Sequence, residues 1–192
     1  MTALAHKKDL ILQRELAFAN AVGSSVLEKP KVSFWMVLIP ILFVYFIYRM
    51  QTYKSGRIKF DEEFMTNRRR AMDAAMVAVE TKGRPDIDAL ARSSGLPEAL
   101  HEPYATWMKA LVEHYMELLA ADGHSFESLV RSAYRDRSSY LLALNRLTTV
   151  EKEYYQALKP HLEAAEGAAD IIATIEAQSQ HLRRELVDQI FR

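Results

Sequence analysis

An all-α protein is the fold class this sequence predicts, and three observations predict it. Gly and Pro number only six each in 192 residues, so the punctuation of a strand-rich chain is scarce. Apolar residues recur at steps of three and four, the spacing of a helix face. One uninterrupted apolar run, residues 32–48, is uncharged and about 25 Å long as a helix.

The first element is a helix over residues 9–27, the body of an amphipathic N-terminal segment 1–31. Asp9 is a suitable N-cap. Ile11, Leu12, Leu16, Phe18, Val22 and Val26 share one broad face, on which Glu15 intrudes. Such a helix either lies in a membrane interface or packs on a protein, its own domain included. Gly23, Ser24 and Ser25 weaken its end, and Pro30 stops it.

The second element is a transmembrane helix over residues 32–50. Phe34 and Trp35 stand at one end of the run and Tyr45 and Tyr48 at the other, as interfacial aromatic belts do. Arg49 extends the helix, because its guanidinium can reach the head groups. Between residues 29 and 60 there is no Asp or Glu. The charges there are Lys29, Lys31, Arg49, Lys54, Arg57 and Lys59, of which all but the anchoring Arg49 are read as lipid head-group contacts. Pro40, at the centre, kinks a single span or turns a re-entrant hairpin. Hairpin arms of about eight residues would reach only about 12 Å. The single span is the expectation, because it satisfies its own backbone polar groups in lipid. A signal peptide is excluded: the run begins too far into the chain and no small-x-small site follows.

Orientation follows the Lys/Arg bias beside the run. Arg14, Lys29 and Lys31 precede it, whereas Arg49, Lys54, Arg57, Lys59 and Arg68 follow, which places the C-terminal part in the cytoplasm, at an inner membrane. Residues 51–60 read as a basic neck with a turn at Ser55-Gly56. The overall neutrality hides an asymmetry: residues 1–60 carry +6 and residues 61–192 carry −6. Anionic lipid attracts the first part and repels the second.

Residues 61–192 are read as a separate helical domain, which deletion of residues 1–60 is expected to release in soluble, folded form. Asp61 caps its first helix, which closes at Lys82-Gly83. Arg68, Arg69 and Arg70 on it are read as a solvated, ion-paired face, with lipid or phosphate contact as the alternative. Asp86 caps a short helix ended by Gly95. Pro103 opens a long one, and Ser125 caps another through about residue 145. Thr148 with Glu151 has the capping-box pattern of a further helix start, and Pro160 ends or kinks that helix. In the last segment Ala168, Ile172, Ile175, Ser179, Leu182, Leu186 and Gln189 follow a heptad-like seam, read as a bundle helix or a coiled-coil contact. Ile175, Leu182 and Leu186 are therefore candidate protein contacts. Tyr154 and Tyr155 join them, since adjacent residues are not expected to face inward together.

The segment Asp86-Ile-Asp-Ala-Leu-Ala-Arg-Ser-Ser-Gly-Leu-Pro-Glu resembles the turn of helix-turn-helix DNA readers, through the Ala91-to-Gly95 spacing and the Leu96-Pro97 lead-in. The resemblance covers about a dozen residues and implies a recognition helix in a major groove. The residues that follow, Glu98, Ala99, Leu100, His101 and Glu102, offer no Arg, Lys, Asn or Gln to base edges. Nucleic acid is not the expected partner.

Other chemistry is thin. With no Cys there are no disulfides, thiolate metal sites or Cys nucleophiles. Glu98-x-x-His101 has the spacing of a di-iron bundle ligand pair, but His114-x-x-Glu117 reverses the order and no second copy exists. Ser125 beside His124 is explained as an N-cap. No catalytic, cofactor-binding or metal residue is assigned, and no small molecule is implied. The expected function is a non-enzymatic, membrane-anchored adaptor or accessory subunit of an inner-membrane complex. It would bind a partner protein or a second copy of itself. A membrane-tethered helix-turn-helix-like regulator is the first alternative and a helical-bundle metalloenzyme the second.

Overall fold

The computed structural model describes residues 3–27, 56–162 and 168–192. Within them the protein is all-helical, with no strand. Seven α-helices follow in order: α1 (Ala3–Leu27), α2 (Gly56–Thr81), α3 (Ile87–Arg92), α4 (His101–Ala120), α5 (Phe126–Tyr134), α6 (Arg137–Leu158) and α7 (Ala168–Ile190). Short 3-10 turns stand at Glu98–Leu100 and Lys159–Leu162.

The bundle is organised around α4, which packs against α1, α2, α3, α5 and α6. Its apolar residues are not confined to a stripe: Tyr104, Trp107, Met108, Leu111, Val112, Tyr115, Leu118 and Leu119 are all buried. A helix apolar over so much of its circumference is stable only inside a bundle. The helix-turn-helix resemblance meets this fact. Ala91 is buried and Gly95 does make the turn, at φ +75. The helix that follows is the central stave, and Leu100 just ahead of it and Tyr104 in its first turn are in the core rather than at a surface.

α1 is a stave too. Ile11, Ala19 and Val22 are fully buried, and the helix packs on α2, α4, α5 and α7. It begins at Ala3, ahead of Asp9, because its first turns are already tied down. Lys7 Nζ donates to the Leu119 carbonyl at 3.2 Å, and Lys8 pairs with Asp73 at 2.7 Å. The pairing with α2 is antiparallel: Lys8 meets Asp73, Glu15 meets Arg68, and Phe18 meets Phe64, ring centroids 6.1 Å apart. Of the two sequence readings of this helix, packing on its own domain describes the structure.

Among the described residues no helix is long and apolar enough to cross a membrane. The transmembrane expectation concerns residues 32–50, and its anchors Phe34, Trp35, Pro40, Tyr45, Tyr48 and Arg49, with Lys29, Lys31 and Lys54, lie outside the described residues. Arg57 and Lys59 fall in the first turns of α2, which starts at Gly56 rather than at Asp61. The second half of the expected neck is therefore helix, since residues 57–60 contain no breaker.

Two further boundaries differ from the sequence reading. The helix capped by Ser125 is broken at Arg135, whose φ is +63, and Asp136 caps a new helix by accepting from Ser139 N at 2.9 Å. Thr148 and Glu151 sit inside α6 instead of starting a helix. The Thr148 hydroxyl donates back to the Leu144 carbonyl at 2.8 Å, as a mid-helix Thr does. The Ser125 cap itself is present: Ser125 Oγ accepts from Ser128 N, and Ser128 Oγ accepts from Ser125 N.

Candidate functional site

Four helices bring together charges that are far apart in sequence. Arg68 on α2 is 2 % exposed, Glu151 on α6 is 3 % exposed and Arg183 on α7 is 6 % exposed. Arg68 Nε donates to Glu15 Oε2 of α1 at 2.8 Å, and its Nη2 reaches Glu151 Oε1 at 3.4 Å. Arg183 Nη2 pairs with the other Glu151 oxygen at 2.7 Å, and its Nη1 donates to Thr148 Oγ1 at 2.8 Å. The tetrad is neutral, two guanidiniums against two carboxylates. Rings complete its shell. Arg68 lies 3.7 Å over the Phe64 centroid, and Phe18 stands between the two guanidiniums, 5.7 Å from Arg68 and 5.5 Å from Arg183. The Glu15 and Glu151 carboxylates outweigh the cost of burial on Arg68, so its affinity for its proton is raised and it stays charged.

Each charge has a local reason to point inward. Glu15 is on the apolar face of α1, between Leu12 and Phe18, where the sequence marks it as an intruder. Arg68, Arg69 and Arg70 leave α2 about 100° apart, so they do not act as one cluster. Arg68 enters the core, Arg69 is exposed, and Arg70 donates to the Leu90 carbonyl and to Ser93 Oγ, tying α3 to α2. Of the three, Arg69 alone is exposed.

Beside the tetrad, His114 of α4 is buried against Tyr134 and Tyr140, with Nδ1 2.6 Å from the Tyr134 hydroxyl. Burial first, then the nearby Arg183, lowers its pKa to about 4 against the opposing pull of Glu15. The imidazole is neutral when folded but takes a proton when unfolded below about pH 6.5. The unfolded state binds more protons between these values, so stability is full above pH 6.5 and falls as pH drops toward 4. The expected loss for this group is about 3 kcal/mol. His114→Phe should flatten that part of the curve, as measured by urea unfolding at pH 7, 5.5 and 4.5. Equal slopes for the two proteins would contradict the assignment.

A groove of about 810 Å³ runs between α6 and α7. Thr149, Lys152, Glu153 and Gln156 line one bank, Ala173, Glu176, Ala177 and Gln180 the other. Glu151, Tyr155 and Ser179 are buried and line its floor. Ser179 is 2 % exposed and its hydroxyl has no hydrogen-bond partner among the described residues. A buried hydroxyl left so is costly, and it is the one Ser of the heptad-like seam.

The contact candidates from sequence pack within the bundle. Tyr154 and Tyr155 are both buried, at 6 % and 3 %. Tyr154 stacks on Trp107 with centroids 5.1 Å apart, while burial pushes the Tyr155 phenol well above its usual range. Both face inward because α6 has α4 and α7 as neighbours, which widens its buried arc beyond the 100° between adjacent residues. Ile175 and Leu186 are buried and Leu182 is partly so, so the α7 seam faces its own bundle. Among the described residues no group of three or more His, Asp or Glu is placed to hold a metal ion. Glu98 is exposed, and the His101 ring is bonded to the Leu96 carbonyl at 2.9 Å.

The fold and site define a helical bundle with a buried ionic core and an open polar groove. The chain matches no known protein family, no curated protein and no solved structure.

Proposed function

We propose that the protein is a non-enzymatic, membrane-anchored adaptor or accessory subunit of an inner-membrane complex. The observation that carries this reading is the apolar run 32–48, with basic flanks and no acid from 29 to 60, placed in the connection between two helices of one bundle. The run attaches the protein to lipid through Phe34, Trp35, Tyr45, Tyr48 and Arg49, and Lys29, Lys31, Lys54, Arg57 and Lys59 meet the head groups. The bundle stands on the cytoplasmic side, the side that basic flanks favour. Its partner-binding surface is the α6/α7 groove, where a segment of a partner protein would meet the polar banks.

Within the ionic core Arg68 keeps its charge, and beside it His114 is buried and neutral near pH 7. The test is recovery of the tagged full-length protein from native membranes in mild detergent. A stoichiometric partner is expected. Ala177→Arg, on the groove bank and exposed, should reduce that partner's recovery at least tenfold with an unchanged melting temperature. Recovery of the wild-type protein alone would end the adaptor reading.

A further inference from the structure

The antiparallel pairing of α1 with α2 constrains how the apolar run can meet a membrane. From Lys8–Asp73 through Glu15–Arg68 to Phe18–Phe64, the α2 partner number falls about as fast as the α1 number rises. Continued along both helices, that register sets Leu27 level with Gly56. The chain therefore leaves the bundle and returns to it at the same end. Only 28 residues, 28–55, lie between.

A bilayer core about 30 Å thick takes about 20 helical residues to cross once. Two crossings need about 40, more than the connection holds. One crossing is worse for the bundle, because it would set Leu27 and Gly56 on opposite faces of the membrane. α1 would then be torn from α2. Ile11, Ala19, Val22, Phe64 and Met65 would lose their common core, and Arg68 would lose Glu15.

We infer that both ends of the apolar run lie on one face of the membrane, with the whole bundle on that face. This rests on the membrane reading above and replaces its single span with a monotopic insertion. Two features of the sequence agree. Pro40 stands at the middle of the run, with eight residues on each side. Basic residues flank both ends, Lys29 and Lys31 before and Arg49, Lys54, Arg57 and Lys59 after, as expected when both ends face the cytoplasm.

The chain contains no Cys, so single cysteines report position cleanly. His6→Cys on α1 and Glu80→Cys on α2 are both at exposed sites. Each is placed in the full-length protein and sealed native vesicles are treated with a membrane-impermeant maleimide, before and after permeabilisation. Flotation of the vesicles on a density gradient is scored alongside. The expected result is that both variants float with the vesicles and that both sites react, or are protected, together. Protection of one site with reaction of the other, at least tenfold apart, would overturn the monotopic arrangement and leave the membrane reading standing. Failure of the protein to float would overturn both.

Discussion

Glu151→Ala is expected to lower the stability of the bundle by about 3–5 kcal/mol, the range for breaking a buried ion pair on one side. Glu151 is the only carboxylate of the tetrad that contacts both guanidiniums, accepting from Arg68 at 3.4 Å and Arg183 at 2.7 Å. Without it two cations remain buried against Glu15 alone. The midpoint of urea unfolding should fall at an unchanged slope, and the melting temperature by roughly 10 °C for a chain of this size. A loss under about 1 kcal/mol would show that water or rearrangement compensates the cations. Replacing Glu15, Arg68, Glu151 and Arg183 together with apolar residues of similar volume has a different expectation, neutral to stabilising, because the desolvation of all four ions is then removed as well. The contrast between the single and quadruple variants separates the worth of the pairing from the cost of an orphaned charge.

The helices were legible where their signals are local. Asp86 and Ser125 cap by bonding to backbone N–H groups three residues on, so nearby sequence suffices. The all-α class was legible for the same reason. Thr148 and Glu151 carry the same local pattern and fail, because their partners are distant. Arg183 is 35 residues beyond Thr148, and Arg68 is 83 residues before Glu151. Nothing in a window of ten residues encodes those pairings. The core of the site nonetheless left traces. Glu15 interrupts an apolar face and Ser179 an apolar seam, and each marks a place where the core is polar. A charged residue on an otherwise apolar helix face predicts a buried partner; which partner is a property of topology. Tyr154 and Tyr155 show the opposite error. Adjacency argues that one ring faces out, but only for a helix packed on one side, and α6 is packed on two.

Removing residues 1–60 is expected to leave the remainder unfolded or aggregated, although the sequence alone presents residues 61–192 as a separate domain. α1 contributes Ile11, Ala19 and Val22 to the core with no exposure, and packs Leu4, Leu10, Leu12 and Phe18 against it. Burial of each large apolar side chain is worth about 1.5–3 kcal/mol. Their sum, with Glu15 taken from Arg68, is comparable to the whole stability of a typical domain, about 5–15 kcal/mol. The truncated chain would also expose the faces of α2, α4 and α7 that α1 covers. A second variant distinguishes loss of α1 from loss of the apolar run. Residues 28–55 are replaced by about eight Gly and Ser residues, enough to join two antiparallel helices whose ends are level. That protein should be soluble without detergent, fully helical by circular dichroism, and unfold cooperatively. If the truncated protein folds as well as the linked one, α1 is dispensable and the pairing of α1 with α2 cannot constrain the membrane topology. If the linked protein also aggregates, the run 32–48 contributes to the fold itself and is more than an anchor.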